Sequence, residues 1–487
     1  MKILSDILYR TRIQEVVGST NIAVEHITFD SREAKPYSLF VAVRGVQVDG
    51  HNYIASAVEK GAIAVVCEVL PTETLDSVTY VQVGNSAEAL GLMAANFYDH
   101  PSKRIQVVGI TGTNGKTTTT TLLHRMYRQF GVKCGLISTV ANRINDRVIP
   151  ATHTTPDALS IQALLAEMVE QGCTHCFMEA SSHAIHQHRT TGIHYAGAVF
   201  TNITHDHLDY HGSFNEYIKA KKALFDRLPA EAFALVNVDD SHGEIMVQNC
   251  KARKRSFALH SMADYKAKVL ENQFSGLQLS MDGQDVYSKL IGGFNAYNLL
   301  TVYAVCMELG MDKMDALTHL STLDSVDGRF EYFRTPGGVT AVVDYAHTPD
   351  ALSNVLSTIE DIRTGNEQVI TVVGCGGDRD KTKRPEMARI AADNSDRVLL
   401  TSDNPRSEKP EDILADMQAG LDPVHARKTL SITDRREAIR TACALSEPGD
   451  IILIAGKGHE KYQEIAGERF PFDDLEVVQE TLKTLAK

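Results

Sequence analysis

Short apolar runs alternating with stretches of helical spacing constrain this chain more than any other feature. "IQVVGI", "CGLIST", "HCFMEA", "AGAVFTNI" and "FALVNV" each fit a buried strand, and the helical stretch "TTTTLLHRMYRQFG" follows the first. The rhythm returns in "VTAVVDY", "QVITVVG", "DRVLLT" and "DIILIAG". A strand that re-enters its sheet after a helix runs parallel to its predecessor, so both regions are expected to be α/β with parallel sheets. The first hundred residues also alternate, with strand-like "SLFVAVRG", "AIAVVCEV" and "VTYVQVG" between helical "NYIASAVEKG" and "SAEALGLMAANFYDH". At 487 residues the chain exceeds one ordinary core and suggests about three domains. The breaks fall at "DHPSKR" and "DSVDGRFEYFRTPGG", giving 1–102, 103–331 and 332–487. Within the middle domain, residues 264–290 alternate apolar and polar with glycine turns, which suggests a small antiparallel insertion.

Charge narrows the function. A net charge of −13 argues against a general nucleic-acid or membrane-surface binder, although local basic clusters can still hold anionic small molecules. "MKILSDILYRTRIQ" lacks the apolar core of a signal peptide, and no run approaches about 18 apolar residues. Eight scattered cysteines fit reduced cytosolic thiols. Cys173 and Cys176 form a C-x-x-C without a second pair, and they lead into an apolar run that reads as a buried strand rather than a redox or zinc site.

"VVGITGTNGKTTTT" nearly spells the phosphate loop G-x-x-x-x-G-K-[ST], but Ile110 stands where the pattern wants its first glycine. The glycines fall at 109, 112 and 115, before Lys116 and Thr117. An apolar strand enters and a helix leaves, which sets backbone N–H groups and a helix N-terminus against phosphates. Lys116 would neutralise the β/γ-phosphates and Thr117 would offer its hydroxyl to Mg²⁺.

The form "TGTNGKTTT" resembles the ATP loop of the Mur ligase family and its folylpolyglutamate synthetase relatives. "MEASSHAIHQHR", "TNITHDHLDYHGSFNEYIKAKKALF", "GGFNAYNLL", "DGRFE", "DYAHTPDAL", "GCGGDRDKTKRP", "TSDNPRSEKPEDI" and "AGKGHE" follow in family order over nearly the whole chain. The resemblance implies an N-terminal α/β UDP-substrate domain, a central P-loop parallel-sheet ATPase domain and a C-terminal Rossmann-like domain. It implies an ATP-dependent ligase that joins meso-2,6-diaminopimelate to the D-glutamate of UDP-MurNAc-L-Ala-D-Glu, through an acyl phosphate, for cytoplasmic peptidoglycan precursors. A monomer is expected, with neither nucleic acid nor membrane insertion. L-lysine addition is the alternative within the family. A P-loop regulatory or transport ATPase is the alternative outside it, and would show no amino-acid-dependent ATP turnover.

The resemblance also implies site residues. The ATP loop would be Gly112, Thr113, Asn114, Gly115, Lys116, Thr117 and Thr118, with Asn295 and Asn298 near adenine and Arg329 and Asp344 at the next domain junction. Two Mg²⁺ ions would draw on Thr117, Glu179, His207 and Lys221, the last as a carbamate. On residues alone, Glu179 could instead cap the next turn, and Lys221, between Lys219 and Lys222, reads as solvated. Arg329 and Asp344 could form an interdomain ion pair. The UDP-substrate set would be Phe29, Ser31, Gln47, His153, Thr154, Thr155, Ser181, Gln187 and Arg189. Val46, Val48 and His153 depart from the family pattern. Diaminopimelate would meet Arg379, Asp403, Asn404, Pro405, Arg406, Gly456 and Glu460. Arg406 could otherwise pair with Glu408 or Glu411.

Overall fold

A computed structural model describes residues 1–45, 48–151 and 153–487. Three sheets organise the chain. The first has five strands in the spatial order Ile13–Val17, Thr79–Val83, Ala62–Cys67, Ser38–Val41 and His26–Thr28, parallel except for the first pair.

The second is built on the strand Gln106–Thr111, flanked in parallel by His175–Glu179 and Tyr195–Phe200. Phe233–Asn237 and Arg253–Ala258 continue it in parallel. The expected insertion is antiparallel over Tyr265–Gln273, Gly276–Met281 and Gln284–Ser288, but it does not stand apart. Its first strand pairs with Arg253–Ala258 through Phe257 and Ala258, so the central sheet reaches eleven strands. Packing explains the fusion: Ala267, Leu277, Leu279 and Met281 join the core cluster that the helix Gly293–Glu308 covers. The third sheet runs Glu331–Arg334, Thr340–Asp344, Ile451–Ala455, Val369–Cys375, Arg397–Ser402 and Thr429–Ser431, parallel except for the first pair.

Cys173 and Cys176 pack in a hydrophobic cluster with Ile105, Val107 and Met168, as a buried strand and its approach should. Among the described residues, no helix is long and apolar enough to cross a membrane. The threonine run after Lys116 is a poor helix former by propensity, yet it begins the helix Lys116–Gln129. Burial accounts for this: Thr117 to Thr121 are all buried, and Thr120 satisfies its hydroxyl on the Lys116 carbonyl at 2.9 Å.

Candidate active site

The irregular loop is explained by what surrounds it. Ile110 is still in the strand, fully buried in the core, so the turn is deferred to Gly112 and Gly115, both at positive φ (154° and 87°). A Cβ on Gly112 would lie 1.9 Å from Thr201 Oγ1, and that hydroxyl is fixed by donating to the Asn114 carbonyl at 2.6 Å. Gly112→Ala should therefore destabilise the protein by about 1–3 kcal/mol through overpacking. A lower thermal midpoint and a raised KM for ATP would register it; an unchanged midpoint would show that Thr201 yields freely.

A cavity of about 660 Å³ opens between the central and third sheets. It gathers the loop from Gly112 to Thr118, Thr154, Glu179, Ser181, His207, Lys221, Asn298, Arg329, Asp344, Arg379, Asp403, Asn404, Arg406, Gly456 and Glu460. Parallel strands end here, where α/β folds present ligands. Asn114 spans the opening, donating to Asp350 Oδ2 at 2.7 Å.

Lys116 folds over its own loop, donating to the Gly112 and Thr113 carbonyls at 2.9 and 2.7 Å. Burial lowers its pKa, opposed by Glu179 and Asp206. Glu179 does not cap the next turn, because Ser181 takes that role by accepting from the Ala184 N–H. Its Oε1 accepts from the Thr139 N–H and hydroxyl at 2.7 and 3.0 Å, while Oε2 is buried with no hydrogen-bond partner among the described residues. An orphaned carboxylate oxygen beside a phosphate loop suits a hard cation. Burial lowers the pKa of His207 against the pull of Asp206, which favours the neutral imidazole. Among the described residues, no three His, Cys, Asp or Glu side chains converge on one metal position. A metal here needs donors of other kinds, such as the Thr117 hydroxyl.

Lys221 differs from its neighbours. Lys219 and Lys222 pair with Glu216 and Asp226 at the surface, whereas Lys221 is 1% exposed. It lies with Tyr217, Ala220 and Leu224 on the buried face of the helix Phe214–Asp226. Its Nζ donates to the Gly112 carbonyl at 2.7 Å and sits 4.5 Å from the Tyr217 ring centroid. Burial, then Lys116, drives its pKa well below the usual lysine range.

Arg329 and Asp344 do not form an ion pair. Arg329 donates to Thr117 Oγ1 at 3.2 Å and lies over the Tyr345 ring, while both Asp344 oxygens accept backbone N–H groups from Phe330 and Ala346. Asn295 stays behind the cavity wall, bonded to the Ile291 carbonyl and to Asn298.

The substrate-side residues interlock. Thr155 Oγ1 donates to the Glu179 carbonyl at 2.7 Å and accepts from the Ser181 N–H. Arg189 donates to the Thr155 carbonyl and to Gln187 Oε1, and Gln187 donates to the Tyr210 hydroxyl. His153 is exposed on the loop before them. Phe29, 39% exposed, and buried Ser31 do not line the cavity; they follow the strand His26–Thr28 of the first sheet. Gln47 and Val46 lie outside the described residues.

At the far end, Arg406 adopts a left-handed φ of 51° and is pinned by the hairpin Tyr462–Ile465 and Glu468–Pro471. Its N–H donates to the Glu464 carbonyl, its carbonyl accepts from Ala466, and its Nη1 donates to the Gly377 carbonyl at 2.6 Å. Pro405 gives its carbonyl to the Glu408 N–H. Glu408 is not Arg406's partner, because Arg384 and Lys381 hold it. Among the described residues, neither Arg406 nor Arg379 has an acidic group within 4.0 Å. Gly456, at φ 122°, donates to the Asp344 carbonyl. Glu460 accepts from Asn404 Nδ2 at 2.7 Å, and burial, reinforced by Asp403, raises its pKa. Sequence reasoning missed Thr139, Tyr210, His347, Lys383 and Lys457. The last four sit inside the motifs quoted above, but only packing gives them partners.

Family models match along the chain: the Mur ligase family catalytic domain at residues 23–98, the Mur ligase middle domain at 110–306 and the Mur ligase glutamate ligase domain at 328–458. The chain belongs to the Mur ligase family of ATP-dependent ligases. Among its relatives, the UDP-N-acetylmuramoyl-L-alanyl-D-glutamate--2,6-diaminopimelate ligase of Cytophaga hutchinsonii is 54% identical over 99% of this chain and 100% of its own length. The enzyme of that name from Bacteroides fragilis is 52% identical, with 98% of each chain covered. A solved structure of such a ligase is 33% identical, covers 95% of this chain and 96% of its own, and superposes at a TM-score of 0.68.

Proposed function

We propose that this enzyme adds meso-2,6-diaminopimelate to the D-glutamate carboxylate of UDP-MurNAc-L-Ala-D-Glu, with ATP converted to ADP and phosphate. The observation that carries the reading is the pair Arg379 and Arg406, which line the cavity and, among the described residues, have no carboxylate within 4.0 Å. Diaminopimelate is lysine with a second carboxylate at the far end, and a planar guanidinium binds a carboxylate through two parallel hydrogen bonds. Glu460 offers the neighbouring anion for the distal ammonium.

A carboxylate is a poor electrophile, so it takes the γ-phosphoryl group of ATP, the incoming amine attacks the acyl phosphate, and phosphate leaves. Lys116 and Arg329 supply positive charge where two anions must meet. Thr117, Glu179 and His207, with a carbamate on Lys221, would hold Mg²⁺, which adds further charge neutralisation. The orphaned Glu179 oxygen supports the first part, and the low pKa of Lys221 supports the second, since only a neutral amine reacts with CO₂. Eight free thiols and ATP as substrate favour a cytoplasmic setting.

ADP release measured with UDP-MurNAc-L-Ala-D-Glu and a panel of amino acids tests the assignment. Strong preference for meso-diaminopimelate is expected, because L-lysine leaves the arginines unpaired. Similar kcat/KM for L-lysine would overturn it. Arg406→Ala should lose about 2 kcal/mol of diaminopimelate recognition, the scale of a charged hydrogen bond, with the KM for ATP unchanged.

A further inference from the structure

Lys457 is a fully buried cation that the function described so far leaves unused. It lies between Gly456 and Gly458, both at positive φ, just beyond the strand Ile451–Ala455. Its Nζ is 2.9 Å from Asn404 Oδ1, 3.2 Å from Glu460 Oε2 and 3.4 Å from Asp403 Oδ1. Those three groups line the cavity, whereas Lys457 stands behind them. Burying an ammonium is expensive unless carboxylates surround it, and here two do.

Asp403 and Glu460 would by themselves make this part of the wall attractive to any cation, and Lys457 directly behind them offsets that negative charge. The distal head of diaminopimelate, one carboxylate and one ammonium, is neutral, while the ε-ammonium of L-lysine is a bare cation.

We propose that Lys457 is a positioning and specificity-determining residue: it orients Asn404 and Glu460 for the distal amino-acid head and offsets the Asp403 and Glu460 carboxylates, which would otherwise favour a bare ammonium. This rests on the diaminopimelate reading, and the test separates the two. Wild-type enzyme that fails to turn over diaminopimelate would defeat that reading, whatever Lys457 does. Given wild-type turnover, Lys457→Met and Lys457→Gln are compared for kcat/KM with meso-diaminopimelate and with L-lysine. Both variants should lower the diaminopimelate-to-lysine ratio by at least about tenfold, through a raised KM for diaminopimelate and an unchanged KM for ATP. A ratio within about threefold of wild type in either folded variant overturns the proposal. Loss of the cooperative thermal transition in both overturns it too, by making Lys457 a residue of the fold alone.

Discussion

Lys221→Ala is expected to slow ADP release by about 10²–10³-fold, the range seen when a preorganised charge donor is removed from a reacting phosphoryl or acyl centre. Acetate or formate should restore part of the rate by placing a small carboxylate where the carbamate would be. An ammonium 1% exposed, hydrogen-bonded to the Gly112 carbonyl and set against an aromatic face, with Asp206 offering partial compensation, is poorly stabilised as a cation. Lys116 nearby makes the charge costlier still. The neutral amine can take up CO₂, which converts an unfavourable cation into an anion among cations. An unmodified ammonium in clear electron density near neutral pH, with Mg²⁺ bound elsewhere, would contradict the proposal. So would an Ala variant with no response to acetate or formate.

Lys116→Ala should lose at least about a hundredfold in rate, equivalent to about 2.7 kcal/mol of transition-state stabilisation. The two carbonyls it now engages belong to the loop that would cradle phosphate, so the ammonium sits over the place where negative charge gathers. The loss should appear mainly in kcat, because the backbone N–H groups of the loop and the helix N-terminus continue to bind nucleotide. Wild-type turnover by this variant would rule out the phosphate role. The two variants are also distinguishable from each other, because a short carboxylate should not rescue Lys116→Ala.

Much of this molecule was legible in one dimension. Apolar runs such as "QVITVVG" and "DIILIAG" alternate with stretches of helical spacing, and that alternation was enough for the α/β class with parallel sheets. The glycine loop between strand and helix declared a phosphate site despite Ile110, because the turn needs glycine at 112 and 115 and the core needs an apolar residue at 110. Even the burial of Lys221 was encoded, in the spacing of Tyr217, Ala220 and Leu224 around it, though lysine's ordinary preference for water argued the other way.

Tertiary structure decided the rest, because charge partners are matters of distance between segments remote in sequence. Glu408 lies two residues from Arg406 yet pairs with Arg384, which leaves Arg406 without an acidic partner among the described residues. Glu179 could have closed its own turn, but Ser181 does so, and one carboxylate oxygen is left buried without a hydrogen-bond partner among the described residues. Lys457 stands in "AGKGHE", and the fold brings Asp403 and Asn404, more than fifty residues earlier, within hydrogen-bonding reach. Hydrophobic spacing is a local property and survives in the sequence. The pairing of buried charges is set by which strand ends meet, and only the folded chain specifies that.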